Sequence, residues 1–201
     1  MKATAILLSG GKSSRMGTNK ALLEIGGKPT IERIKDELSG IFEEIILVTN
    51  DSKQYGFLNV VTVGDEYPGM GPLAGIHAGL KASSFDSNLI VACDMPFVSG
   101  KLAETLIMQV GNHDAIIPVF GGTHHPLFAV YQKSIIKEIE SCIIGGNLRI
   151  KDLLRKIDTF YIDEEELQKY SAIALDKIFF NMNHPEEYEV AKQALKDKSR
   201  M

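Results

Sequence analysis

Two adjacent glycines, Gly10 and Gly11, end the apolar run Ala3–Leu8 and are followed by two cations, Arg15 and Lys20. A polyphosphate needs backbone N–H groups at close range and positive charge nearby. Glycines allow the close approach, because no side chain stands in the way. Successive N–H groups then form a concave anion site. Arg15 brings a planar fork of donors, and Lys20 a mobile point charge. Further along, the apolar run Asn88–Cys93 ends at Asp94, with Pro96 close behind. A carboxylate at a strand end suits Mg²⁺, which binds one or two carboxylates and takes its other oxygens from phosphates and water. Plainer readings compete: a glycine turn with solvated cations, and an aspartate that only forms a turn.

Two familiar phosphate patterns do not fit. Gly11-Lys12-Ser13 looks like the end of a Walker A loop, but Ile6 stands where its first glycine is required, which argues against a P-loop GTPase. The dinucleotide pattern G-x-G-x-x-G fails because Gly10 and Gly11 are adjacent. A second glycine- and proline-rich stretch, Asp65–Ile76, contains Asp65, Pro72 and Leu73. Its fixed backbone could read a base edge, and Pro72 is also a favoured first residue of a helix. In the second half, His124 and His125 are neighbours. On one strand they point to opposite faces, so a shared metal is disfavoured, and one packed and one exposed ring is expected. Asn183-His184-Pro185 reads as a helix start, in which Asn183 could be a binding residue or only a cap.

The segment Leu8-Ser9-Gly10-Gly11-Lys12-Ser13-Ser14-Arg15-Met16-Gly17-Thr18-Asn19-Lys20-Ala21-Leu22-Leu23 resembles the L-A-G-G-x-S-x-R-M-G-x-x-K-x-L-L signature of the molybdenum cofactor guanylyltransferase family. Ser9 replaces the usual alanine. Gly27-Lys28-Pro29 resembles the G-K-P that follows. Asp65–Ile76 resembles D-x-x-P-G-x-G-P-L-A-G, and Cys93-Asp94-Met95-Pro96 resembles C-D-M-P. Later matches are looser. Thr123–Tyr131 resembles H-P-L-x-A-x-Y, Asn147–Leu154 a basic segment, and Phe180–Glu187 resembles N-x-N-T-P-E-E with His184 for threonine. The loop is shared with cytidylyltransferases and sugar-phosphate nucleotidyltransferases, so by itself it indicates the class and not the substrate.

The resemblance implies a Rossmann-like nucleotidyltransferase fold and transfer of GMP from GTP to molybdenum-bound molybdopterin, with release of pyrophosphate. It implies catalytic roles for Arg15, Lys20 and Asp94, and magnesium on Asp94. Leu8, Ser9, Gly10, Gly11, Lys20, Asp65, Pro72, Leu73 and Asp94 would hold the nucleotide. Arg149, Asn181 and Asn183 would hold the acceptor pterin. Apo-molybdoenzymes or other cofactor-biosynthesis proteins are the further partners it suggests. A CTP-dependent relative and a non-catalytic GTP-binding cofactor carrier are the rival readings.

These residues need a frame. Short apolar runs at Ala3–Leu8, Glu44–Asn50, Asn59–Val63 and Asn88–Cys93 read as buried strands. Between them, Thr30–Leu38 and Pro72–Ala82 read as helices, and Lys101–Val110 follows as another, with Ser99 as its cap. Asp114–Phe120 and Leu127–Tyr131 suggest a hairpin or paired strands. Ser134–Ile143 and Leu148–Lys156 read as helices, and Thr159–Ile162 and Lys177–Phe180 as strands. A last helix is expected from Pro185 to Leu195, with a flexible tail over Lys196–Met201. This alternation predicts an α/β protein of three layers, with a mostly parallel twisted sheet covered on both faces. The ligand of such a fold lies beyond the carboxyl ends of its strands, so the loops after Leu8, Val63 and Cys93 are the places to look.

The totals agree with one domain over residues 1–201, its nucleotide half at 1–97 and its acceptor half at 98–195. Of 201 residues, 44% are hydrophobic and 24% charged, which argues against disorder. A formal charge of −4 without a basic run argues against nucleic acid. No apolar stretch approaches a membrane span, and the N-terminal run is too short for a signal peptide, so the cytoplasm is the expected location. Cys93 and Cys142 have no metal-finger spacing and read as reduced, packed side chains.

Overall fold

The computed structural model describes residues 1–10, 19–170 and 174–198. Strand β1 (Thr4–Leu8) comes first, and a small hairpin of β2 (Glu24–Ile25) and β3 (Lys28–Pro29) leads into helix α1 (Thr30–Ser39). Next come β4 (Glu44–Val48), a 3₁₀ helix over Ser52–Leu58, β5 (Val61–Val63), α2 (Pro72–Ala82), β6 (Ser87–Ala92) and α3 (Gly100–Met108). The second half runs through β7 (Ala115–Phe120), β8 (Thr123–His124), β9 (Phe128–Gln132), α4 (Ile136–Ile144), α5 (Ile150–Leu154) and β10 (Thr159–Ile162). It finishes with α6 (Glu164–Gln168), α7 (Leu175–Ile178) and α8 (Pro185–Lys198).

The main sheet has the order β10-β7-β9-β6-β1-β4-β5, with β8 paired to β7. Pairing is parallel between β1 and β4, β1 and β6, β4 and β5, and β7 and β10. Strand β9 alone runs against both its neighbours in that order. The sheet is therefore mostly parallel, as the alternation of runs predicts. Side chains of β1 alternate between its faces. Ala5 and Leu7 join the core under α1 and α3, while Ile6 joins the core under α2 and α4.

Helix α2 is apolar almost all round, because the sheet lies on one side and α4 on the other. Its glycines permit a close approach to β1. A Cβ at Gly79 would stand 2.3 Å from Cγ2 of the fully buried Ile6, and 3.1 Å from Cδ1. In the hairpin, Gly26 and Gly27 carry φ values of +61° and +78°, the left-handed pair that a tight two-residue turn demands. A third, smaller cluster of Ile25, Met182 and Ala191 binds α8 to this hairpin, and the Tyr188 hydroxyl donates to the Glu24 carbonyl at 2.9 Å.

Three expectations from the sequence are corrected. Lys177–Phe180 is not a strand; Leu175–Ile178 forms the short helix α7. The run is aromatic and apolar because it is packed, with Phe179 stacked on Phe120 and His125. The last helix does not end at Leu195, since α8 continues to Lys198. Leu148–Lys156 is helical only over Ile150–Leu154. The β2–β3 hairpin, the turn at Ser52–Leu58 and α6 give no strong periodic signal and went unforeseen.

Replacing Gly79 with alanine tests the packing of α2 on β1. Alanine favours a helix over glycine by about 1 kcal/mol. Overpacking a filled core costs about 1–3 kcal/mol. The clash involves three atoms of one buried side chain, so the cost is expected to win and the thermal midpoint to fall. Pairing Gly79→Ala with Ile6→Val in thermal unfolding should recover part of the loss.

Candidate functional site

Parallel register brings the strand ends together. Leu8 is opposite Val48 on one side and Ala92 on the other, and Val48 is opposite Val63. The chains leaving β1, β4, β5 and β6 therefore start along one edge. The pairing continues just past the strands: Ser9 N donates to Val48 O at 2.9 Å, Cys93 N to Leu8 O at 3.2 Å, and Thr49 N to Val63 O at 2.9 Å. Successive connections go to opposite sides of β1, which makes the β1/β6 gap the switch point of the sheet. Gly10 opens on one side of that gap and Asp94 on the other.

Lys20 and Asp94 meet there, with Nζ 3.6 Å from Oδ2 and each side chain mostly covered. The same ammonium donates to Asn183 Oδ1 at 2.9 Å. Asn183 is therefore not spent as a helix cap. Glu187 caps instead, accepting from the backbone N–H groups of His184, at 2.8 Å, and Asn183. Burial raises the Glu187 pKa, but those N–H groups outweigh it and hold the carboxyl below its ordinary range. The peptide of Met182 is tied to the same place, its N–H donating to the Asp94 carbonyl at 2.9 Å.

Burial pushes the Asp94 carboxyl above its ordinary value, and the Lys20 ammonium only partly opposes this. The neighbouring Cys93 thiol is pushed up to about 12 by burial and by the Asp94 charge. Its side chain packs against the core, as its apolar setting predicts, and both cysteines are free.

Along the same edge, Asp65 is gripped by Asn50. The Asp65 N–H donates to Asn50 Oδ1 at 3.0 Å, and Asn50 Nδ2 donates to Asp65 Oδ2 at 2.9 Å. The other carboxylate oxygen, Oδ1, is buried and has no partner among the described residues. Pro72 is exposed at the first turn of α2, after Gly69 and Gly71 with φ of +81° and +72°. Leu73 is fully buried in the core, so only its backbone can face a ligand.

The matching family model is the MobA-like NTP transferase domain, over residues 5–160. The chain belongs to this family. Its class of chemistry is nucleotidyl transfer. A probable molybdenum cofactor guanylyltransferase of Pelotomaculum thermopropionicum is 36% identical over 192 residues, covering 96% of this chain and 93% of the relative. The molybdenum cofactor guanylyltransferase of Desulfosudis oleivorans is 33% identical and covers 96% of both. Among solved structures, molybdopterin-guanine dinucleotide biosynthesis protein A from Archaeoglobus fulgidus is 30% identical with a TM-score of 0.83, covering 96% of this chain and 99% of that one.

In this MobA-like transferase most of the foreseen residues fall into two groups, and Asn181 and Arg149 stand outside both. Lys20, Asp94 and Asn183 converge, with Leu8, Ser9 and Gly10 on the adjoining strand end. Asp65, Pro72 and Leu73 lie further along the edge. Asn181 turns back locally, its Nδ2 donating to Phe179 O at 3.1 Å. Arg149 is exposed at the start of α5 and has no bond or ion pair to the converging group among the described residues. Gly11 and Arg15 lie outside the described residues. Of the histidines, His124 is exposed against Tyr161 and His125 is packed on Phe179, as their adjacency predicts. Asn50 and Glu187 were not foreseen. A glutamate three positions after the cap is a known sequence mark of a helix start, whereas Asn50 leaves no such mark.

The Asp94 carboxyl binds its proton more tightly folded than unfolded. Its contribution to stability is therefore full below the unfolded value near 3.8, and is lost as pH rises through the higher folded one. At neutral pH the ionised group is a net cost. Without ligand at pH 7, Asp94→Asn is expected to melt no lower than the parent protein, and its advantage should vanish in scans taken at about pH 3.

Proposed function

We propose that the chain transfers GMP from GTP to the terminal phosphate of molybdenum-bound molybdopterin and releases pyrophosphate. The observation that carries this reading is the meeting of Lys20, Asp94 and Asn183 at the switch point of a sheet whose relatives are named guanylyltransferases. An oxygen of the acceptor phosphate forms a bond to the α-phosphorus of GTP. The bond from that phosphorus to the β-phosphate oxygen breaks, and pyrophosphate leaves with the electron pair. No general base is needed, because a phosphate monoester is already largely dianionic at neutral pH.

Positioning and charge neutralisation supply most of the rate in such chemistry. Leu8, Ser9, Gly10 and Gly11 would present backbone to the triphosphate. Lys20 and Arg15 would offset charge on it and on the departing pyrophosphate. Asp65, with Pro72 and the Leu73 backbone, would line the base and ribose, and the spare Asp65 oxygen is a ready acceptor. Asn181, Asn183 and Arg149 would hold the acceptor. Arg149 carries the least support, since it stands apart from the others.

Among the described residues, no group of three or more His, Cys, Asp or Glu side chains is arranged to hold a metal ion. Asp94 is a single carboxylate already burdened by burial, a donor set that suits an ion taking its other oxygens from phosphates and water. Bound there, magnesium would neutralise charge on the phosphates and on the leaving group.

Pyrophosphate release against the four nucleoside triphosphates, with and without molybdopterin and magnesium, tests the reading. Release is expected only with GTP, molybdopterin and magnesium together. CTP in place of GTP would move the assignment to cytidylyl transfer, and binding without release would point to a carrier. Asp94→Ala is expected to lower turnover by about 10³-fold or more at saturating magnesium. Lys20→Ala should chiefly lower the transfer rate, by about 10²-fold, and an unchanged rate constant would remove its role.

A further inference from the structure

We propose that Tyr55 is a positioning residue for Lys20, its hydroxyl joining Ser9 to Asn19 and so fixing where the ammonium stands against Asp94. This rests on the function proposed above. Tyr55 lies in the 3₁₀ helix Ser52–Leu58, with 3% of its surface exposed and its ring in the core beside α1. Its hydroxyl contacts Ser9 Oγ and receives a hydrogen bond from Asn19 Nδ2 at 2.8 Å.

The donor assignments follow from Asn19. Its Oδ1 accepts from Ala21 N at 3.2 Å and caps the short turn Lys20–Leu22. The amide nitrogen must then face Tyr55, whose single proton is left for Ser9. Gln54 Oε1 gives the same amide a longer second contact, at 3.4 Å. The result is a continuous path. Ser9 sits on the end of β1 through its bond to Val48, Tyr55 spans to Asn19, and Asn19 sets the turn on which Lys20 is the first residue.

Two observations point to the site and not only to the core. First, the contacts bridge 46 and 36 positions of chain, so no local turn geometry demands them. Second, the path ends at the turn that carries Lys20, whose ammonium stands 3.6 Å from Asp94 and donates to Asn183. The Ser9 hydroxyl is buried and is shared between Tyr55 and the Cys93 thiol next to Asp94. A tyrosine ring would fill the core equally well as phenylalanine.

A double-mutant cycle between Tyr55→Phe and Lys20→Ala decides the matter, read as pyrophosphate release under saturating substrates and as the affinity for magnesium-GTP. Tyr55→Phe alone is expected to lower the rate constant about three- to tenfold, the worth of one neutral hydrogen bond, with a near-parental thermal midpoint. In the Lys20→Ala background the same change should cost nothing further. Asn19→Ala, which leaves the tyrosine ring in place, should behave the same way if Tyr55→Phe folds poorly. An equal loss in both backgrounds would mean that Tyr55 supports only the core, and would overturn this inference while the function stands. A parent protein that neither binds nor turns over any of the four triphosphates would overturn the function and this inference together.

Discussion

A carboxylate drawn out of water with one ammonium beside it is the constraint to which the rest of the molecule answers. Asp94 is less comfortable ionised here than in solution, because burial outweighs what Lys20 returns. Left to itself the group would favour protonation. A carboxyl shifted by burial beside a single charge partner, in a cleft, is the kind of group found at functional sites. The ammonium is shared as well, since it also serves Asn183. Neither partner is fully satisfied by the other, which leaves both available to a polyanion and its counter-ion.

Holding such an arrangement takes rigidity, and the sheet supplies it. Strands β1, β4 and β6 end in register, so their outgoing chains start within hydrogen-bond reach of one another. The helices on either face then fix the sheet. Helix α2 comes close to β1 only because Gly75 and Gly79 lack side chains, and its start also positions the loop after Asp65. Strand β9, running against its neighbours, brings its own beginning to the same edge, so the segment around His125 lies beside the chain leaving β6. The two halves of the sequence thus share one rim.

Much of this was legible from residue types. The helix Pro72–Ala82 is found at the bounds that the proline and the apolar pattern predict. The Ser99 cap is real, its side chain accepting from Leu102 N at 3.2 Å. Lys20 and Asp94 could be picked out because strand-end glycines, a cation and a strand-end acid each have a chemical reason. Short elements were less readable. An aromatic, apolar run such as 177–180 suits a strand or a packed helical turn equally, and length gives no arbitration. Direction is also silent, since the alternation in β9 would look the same either way. Asn183 had two local explanations, and its contact with Lys20, 163 positions away, is one that no local pattern could reveal. Asn50 and Tyr55 act through partners that no spacing rule connects to them.

That contact between Asn183 and Lys20 has a bearing on how the molecule comes into being. The two sides of the cleft are made at different times. At about 5–20 residues per second, on the order of ten seconds separate the synthesis of one from the other. Through that interval β1 and its neighbours can pair and pack, but Lys20 has no amide to meet and the β2–β3 hairpin has no helix to cover it. Until α8 and the segment before it have been made, neither the contact of Asn183 with Lys20 nor the packing of α8 on the hairpin can form, so this part of the rim is completed last.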